Sequence, residues 1–201
     1  MADRLPNENL LEAGLELMRK NGKPLTKVAG TGRSMIYQLS NREQVRVRTC
    51  NDHLLIVLAK SPTEDAKLNI EGTEWLLIVM PEEERSPGNA FAYFVPTDVA
   101  VKTVRESHKA WLNTNPDTKG GNTTWNIWFG TDGTEKPHNN FKEKWRQYRL
   151  AGVATVGHAV VLASNGDAGD VKSEVESARQ RISRAAGVVP EAVKISIDFG
   201  D

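Results

Sequence analysis

Apolar residues recur along this chain in two different periods, and the places where the period changes divide it into elements. After Pro6 and Asn7, the positions Leu10, Leu11, Gly14, Leu15, Leu17 and Met18 follow helical spacing. They predict an amphipathic helix that Asn7 caps and Asn21-Gly22 ends. Lys23 to Val28 reads as a short strand or an extended connection. The period then falls to two. Met35-Ile-Tyr-Gln-Leu39, a polar turn at Ser40 to Glu43, and Val45-Arg-Val-Arg-Thr49 predict a folded β-ribbon, with Val45 and Val47 on one face and Arg46 and Arg48 on the other. Leu54-Leu-Ile-Val-Leu58 continues the ribbon, is apolar at every position and predicts a central strand buried on both faces. Trp75 to Met80 and Phe91 to Val95 repeat that pattern.

Helical spacing returns after Pro96, where Thr97 is a suitable cap, Asp98 suits the first turn, and Val101, Val104, His108 and Trp111 form a stripe. A short strand over Thr124 to Phe129 follows, then a compact helix from about residue 140 with Phe141, Trp145 and Tyr148 at helical spacing. Gly152 to Ala163 is apolar without a clear period. Asp170 to Ala186, striped by Val171, Val175, Ala178, Ile182 and Ala185, predicts a further helix. Val193, Ile195, Ile197 and Phe199 alternate as a last strand. Together these elements predict an α/β (α+β) fold with a central mixed β-sheet of about five to six strands flanked by helices. Residues 1–150 would form the core domain, and 151–201 a helix-strand extension docked on it.

Composition narrows the class. With 201 residues, 39% hydrophobic and 26% charged, the chain is long enough to bury a real core and is not of disordered type. No apolar run approaches the roughly 20 residues that span a bilayer. The opening Met-Ala-Asp-Arg-Leu-Pro lacks the apolar core of a signal peptide, so a cytoplasmic protein without membrane attachment is expected. The single cysteine, Cys50, excludes an internal disulfide and a cysteine zinc cluster, and reads as a structural thiol. The net charge is zero but unevenly spread: residues 1–60 hold ten Lys/Arg against six Asp/Glu, whereas 61–90 hold two against seven. A basic face is therefore compatible with a neutral whole, although bulk charge alone would not drive the chain onto nucleic acid.

Candidate chemistry is sparse. Gly30-Thr-Gly32 is not followed by the helix or Gly-Lys that a phosphate loop requires, and no serine sits in a nucleophile elbow. His53, His108, His138 and His158 lack the spacings of a metal site, so no cofactor, metal or catalytic residue is assigned. His108, on an apolar stripe, reads as a half-buried core histidine. Two groups of cations remain. Arg46 and Arg48, two apart on a strand, present paired guanidiniums suited to phosphate, or are solvated strand arginines. Lys142, Lys144, Arg146 and Arg149 interleave with Phe141, Trp145 and Tyr148 in a helix over 138–149. The rings there either stack on bases or form a buried stripe beneath a solvated basic face.

The order of elements over residues 8–112 resembles the restriction-endonuclease-like fold of the PD-(D/E)xK nucleases. The likeness rests on a leading helix, the Val45-Arg-Val-Arg-Thr49 strand, Trp75-Leu-Leu-Ile-Val and Phe91-Ala-Tyr-Phe-Val-Pro96 before a helix. The resemblance implies a metal-assisted hydrolase, with an Asp on one strand and Glu/Gln-x-Lys on the next holding Mg²⁺. Here Arg46 stands at the acidic position and Arg48 at the lysine, and Ser34 to Leu39 contains no Asp. A guanidinium has no acceptor for a metal ion. The expectation is a non-enzymatic, bacterial-type DNA-binding or DNA-associated regulatory protein, using a basic face of Arg46, Arg48, Lys142, Lys144, Arg146 and Arg149. Two alternatives stand beside it. One is a divalent-metal nuclease with an atypical site drawn from Asp52, Glu71 and Glu74. The other is a protein-protein interaction module or homo-oligomer that uses the five tryptophans.

Overall fold

A computed structural model of the chain describes residues 4–28, 35–63, 65–115, 121–130, 140–156, 175–176, 178–180, 182–183 and 189–193. The chain divides into two compact units, Met1–Ala159 and Val160–Asp201. The first unit is α+β. Its elements are α1 (Asn7–Lys20), β1 (Thr26–Lys27), β2 (Ile36–Gln38), β3 (Gln44–Thr49), β4 (Leu54–Leu58), β5 (Trp75–Pro81), β6 (Gly88–Pro96), α2 (Thr97–Thr114), β7 (Thr124–Trp128), α3 (Phe141–Lys144) and β8 (Ala154–Val156).

A six-stranded sheet runs in the order β1-β2-β3-β5-β6-β8, and β4 pairs with β7 in a separate two-stranded sheet. All neighbours in the large sheet are antiparallel except β3 and β5, which run parallel with Val45 opposite Trp75 and Thr49 opposite Val79. The expected ribbon of β2 and β3 is present. Its continuation differs, because β3 takes β5 rather than β4 as its next neighbour.

Strand alternation sorts the core into two layers. Val45, Val47, Leu77, Val79, Ala92 and Phe94 pack with Leu10, Ala13, Leu17 and Met18 of α1. On the opposite face Leu76, Ile78, Met80, Phe91, Tyr93 and Val95 meet Leu55 and Val57 of β4, Trp125 and Ile127 of β7, and Ala100 and Val104 of α2. Strand β5 is thus apolar throughout because both of its faces are covered. Strand β4 is apolar throughout for another reason: Leu55 and Val57 point into the core, while Ile56 and Leu58 remain 45% and 48% exposed on the outer face of the small sheet. It is not the central strand its composition predicts.

Both long helices begin one residue away from the expected caps. Pro6 and Pro96 hold the extended N-cap positions, with φ near −55° fixed by their rings, and neither helix has a side-chain cap bond. Thr97 is instead the first residue of α2, buried with its hydroxyl unpartnered. The helix expected over 138–149 is also shorter. It is one turn, α3, that gives way at Trp145 to a 3₁₀ turn over Arg146–Tyr148. Strand β8 lies past residue 150 and pairs with β6, so the large sheet takes in part of the apolar segment after Gly152. In the second unit, 175–176, 178–180 and 182–183 are helical and Pro190–Ala192 is a 3₁₀ turn. The rest of the helix expected over 170–186, and the strand expected after Val193, lie outside the described residues.

Candidate functional site

The carboxyl ends of a parallel strand pair are where open sheets commonly place their sites, because the connections diverge there. Here the β3–β4 connection, Cys50 to His53, crosses that end and is held from several sides. The amide of Cys50 donates to the Val79 carbonyl, and the amide of Arg85 to the Asn51 carbonyl. The Asn51 side chain pins the amino-terminal segment, accepting from the Leu5 amide and donating to the Leu5 carbonyl, both at 3.0 Å. Asp52 accepts from Arg4 at 2.8 Å and is also bonded by Arg85, whose hydrogen bond is the main reason its carboxyl is held below the usual carboxylate range.

His53 occupies a left-handed backbone conformation, φ 47°, which non-glycine residues seldom adopt. Its Nε2 lies 2.6 Å from the Pro81 carbonyl oxygen. A carbonyl only accepts, so Nε2 carries the proton and donates. The ring stands edge-on to Phe91 with centroids 5.8 Å apart, and Nδ1 lies 3.9 Å from a Glu84 carboxylate oxygen.

Two hollows flank this connection. The first, about 260 Å³, is lined by His53, Glu82, Phe91, Phe129, Gly130, Lys142 and Arg149. The second, about 440 Å³, lies between the amino-terminal segment and β4, and its lining includes Arg4, Arg48, Cys50, Asp52 and Ile56. Burial pushes the Cys50 thiol up to about 12, so it stays protonated and unreactive there. The charges of the second hollow are largely tied up among themselves, through Arg4–Asp52 and the bond of Arg48 to β4.

The expected site residues separate accordingly. Arg46 and Arg48 do share one face of β3, half-buried, and both are engaged by the layer packed on that face. Arg46 donates to the Glu71 carbonyl at 3.3 Å and Arg48 to the Ile56 carbonyl at 3.1 Å, so both act as struts between the sheet and the layer above it. Burial, with Arg48 nearby, lowers the pKa of Arg46, and its Nε has no partner. Neither arginine lines the first hollow, whereas Lys142 and Arg149 both do. Lys144 lies over the Phe141 ring at 4.7 Å, and Arg146 is exposed on the 3₁₀ turn. Phe141 and Trp145 are fully buried, which removes them as platforms for bases.

The three acids considered as metal ligands do not meet. Glu74 accepts from the Gln44 amide at the start of β3, whereas Asp52 lies beyond its end, roughly 17 Å away at 3.3 Å per residue. Glu71 accepts from the Leu68 amide and from Arg105. Among the described residues, no three His, Cys, Asp or Glu side chains come together as a metal site would require.

In the first hollow the Arg149 guanidinium lies 4.8 Å above the Phe91 ring. Among the described residues, neither Arg149 nor Lys142 forms an ion pair. Glu82 accepts from the Asn89 side chain at 3.0 Å. Tyr93 packs against both aromatic walls, 5.9 Å from Phe91 and 5.2 Å from Phe129, and its hydroxyl is buried without a hydrogen-bond partner. His53, Glu82, Phe91 and Phe129 carry no sequence signal of a site. They come from four separate segments, and only the folding of β4 and β7 over the sheet assembles them. No protein-family model matches the chain, and no curated protein or solved structure does.

Proposed function

We propose that this chain is a non-enzymatic, cytoplasmic, bacterial-type DNA-associated protein, and that it holds nucleic-acid phosphate through Lys142 and Arg149 in the cleft that His53 also lines. One observation carries the reading. Among the described residues, two cations without carboxylate partners converge on one concave, aromatic-walled site, which is the arrangement that phosphate recognition uses. Arg46 and Arg48 have a different part in it: they brace the sheet rather than touch the ligand. The resemblance to the PD-(D/E)xK nucleases belongs to the same proposal, as a nuclease-like frame in which arginines stand at the ligand positions.

The test is a titration of labelled duplex and single-stranded oligonucleotides at low salt, followed by fluorescence anisotropy. Binding is expected to weaken steeply with salt, with the slope reduced by about 0.9 for each duplex phosphate contact removed by Lys142→Gln or Arg149→Gln. Lys23→Gln, exposed past the end of α1, serves as the control and should change little. Absence of binding to either form of nucleic acid would overturn the proposal.

A second reading is favoured by the outer face of the β4–β7 sheet, where Ile56, Leu58 and Trp128 are 45%, 48% and 42% exposed. Neighbouring apolar side chains on one sheet face suit a protein interface. Under this reading the purified chain self-associates or captures a partner, and Trp128→Thr abolishes that association without unfolding the protein. A monomer at all concentrations with no apolar-dye binding would remove it.

A further inference from the structure

The first cleft has features that an internal stretch of nucleic-acid backbone does not need. At about 260 Å³ it is slightly smaller than the roughly 300–1,000 Å³ of pockets that enclose drug-sized ligands, so it takes one small group rather than a passing strand. Two of its lining residues, Lys142 and Arg149, are cations that form no ion pair among the described residues, and a phosphomonoester offers their donors three strong acceptor oxygens where an internal phosphodiester leaves two unbridged ones. Arg149 is already oriented by the Phe91 ring beneath it, which leaves the edge of its planar fork for two parallel bonds to phosphate oxygens.

The surroundings act against a continuing chain. Glu82 lines the cleft, and Glu84 stands beside His53, in an acidic run over residues 82–84. Phosphates on either side of a bound diester would have to pass this run, whereas a terminal phosphate brings none on one side.

We propose that the cleft, through Lys142 and Arg149 with His53 and Glu82 in its wall, recognises a dianionic phosphomonoester, so that on nucleic acid it selects a phosphorylated end over internal backbone. This rests on the nucleic-acid reading for its biological ligand but not for its chemistry. A terminal phosphate and a free mononucleotide share that chemistry.

The test compares one oligonucleotide sequence in three forms, with a 5′-phosphate, a 3′-phosphate and hydroxyls at both ends, and uses a nucleoside monophosphate and inorganic phosphate as competitors. At least one phosphorylated form is expected to bind about tenfold more tightly than the hydroxyl form, the worth of an added charge-assisted hydrogen bond. Lys142→Gln and Arg149→Gln should erase that difference while circular dichroism stays unchanged. Glu82→Gln should narrow it by raising the affinity of the hydroxyl form.

Equal affinity for all three forms, still dependent on Lys142 and Arg149, overturns the end selection and leaves the nucleic-acid reading standing. Binding of the mononucleotide but of no oligonucleotide supports the phosphomonoester site and overturns the nucleic-acid reading. Binding of no probe overturns both. Should Arg149→Gln disturb folding, Lys142→Gln and Glu82→Gln, which take no part in the cation–π contact, decide the question.

Discussion

Gly14 in α1 faces Val79 in β5 so closely that a Cβ built on the glycine would stand 2.4 Å from the valine Cγ2. The helix can lie this near the sheet only because position 14 has no side chain. In an exposed helix, replacing Gly by Ala gains about 1 kcal/mol. Here Gly14→Ala is expected to destabilise the protein by about 1–3 kcal/mol, because the methyl must displace either α1 or Val79 from a packed layer. Urea denaturation of Gly14→Ala, Val79→Ala and the double variant measures this. The double variant should lose less than the sum of the two singles, and strict additivity would show that the contact does not limit packing.

Arg46 and Arg48 are predicted to matter for stability rather than for ligand binding. Each guanidinium donates to a carbonyl of the covering layer, at Glu71 and Ile56. Arg46→Met and Arg48→Met keep most of the apolar stem and remove that bond, at an expected cost of about 1 kcal/mol each. Anisotropy should give each variant the affinity of the unaltered protein for any ligand of the first cleft. A Lys142-like loss of affinity would place β3 in the binding surface after all.

Asp52 ties the amino-terminal segment and the β5–β6 loop to the β3–β4 connection through Arg4 and Arg85. These bonds favour the charged carboxylate, so its folded pKa lies below the unfolded one. Stability from this source is present above the unfolded pKa of about 3.9 and is lost as pH falls through the lowered folded value. Asp52→Asn is expected to reduce the melting temperature at neutral pH and to show a shallower loss on acidification. Parallel melting curves for both proteins from neutral to strongly acidic pH would show the variant falling as steeply as the original if this account is wrong.

His108 on α2 is stacked on Trp125, with centroids 4.2 Å apart, and on Trp111 at 5.8 Å. Burial lowers its pKa, because the charged ring would lose water that these neighbours do not replace. The unfolded chain therefore binds the proton first. Stability is full above the unfolded value of about 6.5 and declines as pH falls towards the folded value, then levels off below it. His108→Phe should remove this mildly acidic decline while leaving stability near pH 8 little changed. Titration of the imidazole by NMR gives a direct check, since a folded pKa at or above the unfolded value would contradict the assignment.

Much of the first unit is legible from local pattern. The alternation over 45–48 correctly places two valines on one face and two arginines on the other, and the stripe from Leu10 to Met18 names most of the buried side of α1, although Leu11 and Leu15 are half-buried at its edge and Ala13 is buried. Local pattern misleads wherever the deciding neighbour is distant in sequence. Leu54 to Leu58 reads as a doubly buried strand, yet half of it faces outward, because apolarity reports a preference for burial and does not say what arrives to bury it. The cations of residues 142–149 are visible as a group, but only Lys142 and Arg149 reach the cleft, since the helix that would align them stops at Trp145.

The sequence by itself determined the α+β class, the ribbon of β2 and β3, the faces of α1 and β3, and the burial of Phe141 and Trp145 as one of two readings of their spacing. These follow from periods of two and 3.6, which are properties of a chain with its nearest neighbours. Only the tertiary structure decided that β3 pairs with β5, that β4 leaves for a second sheet, and that His53, Glu82, Lys142 and Arg149 surround one cleft. Strand pairing and layer packing join residues far apart in the chain, and no local period encodes which of several apolar strands will be the partner.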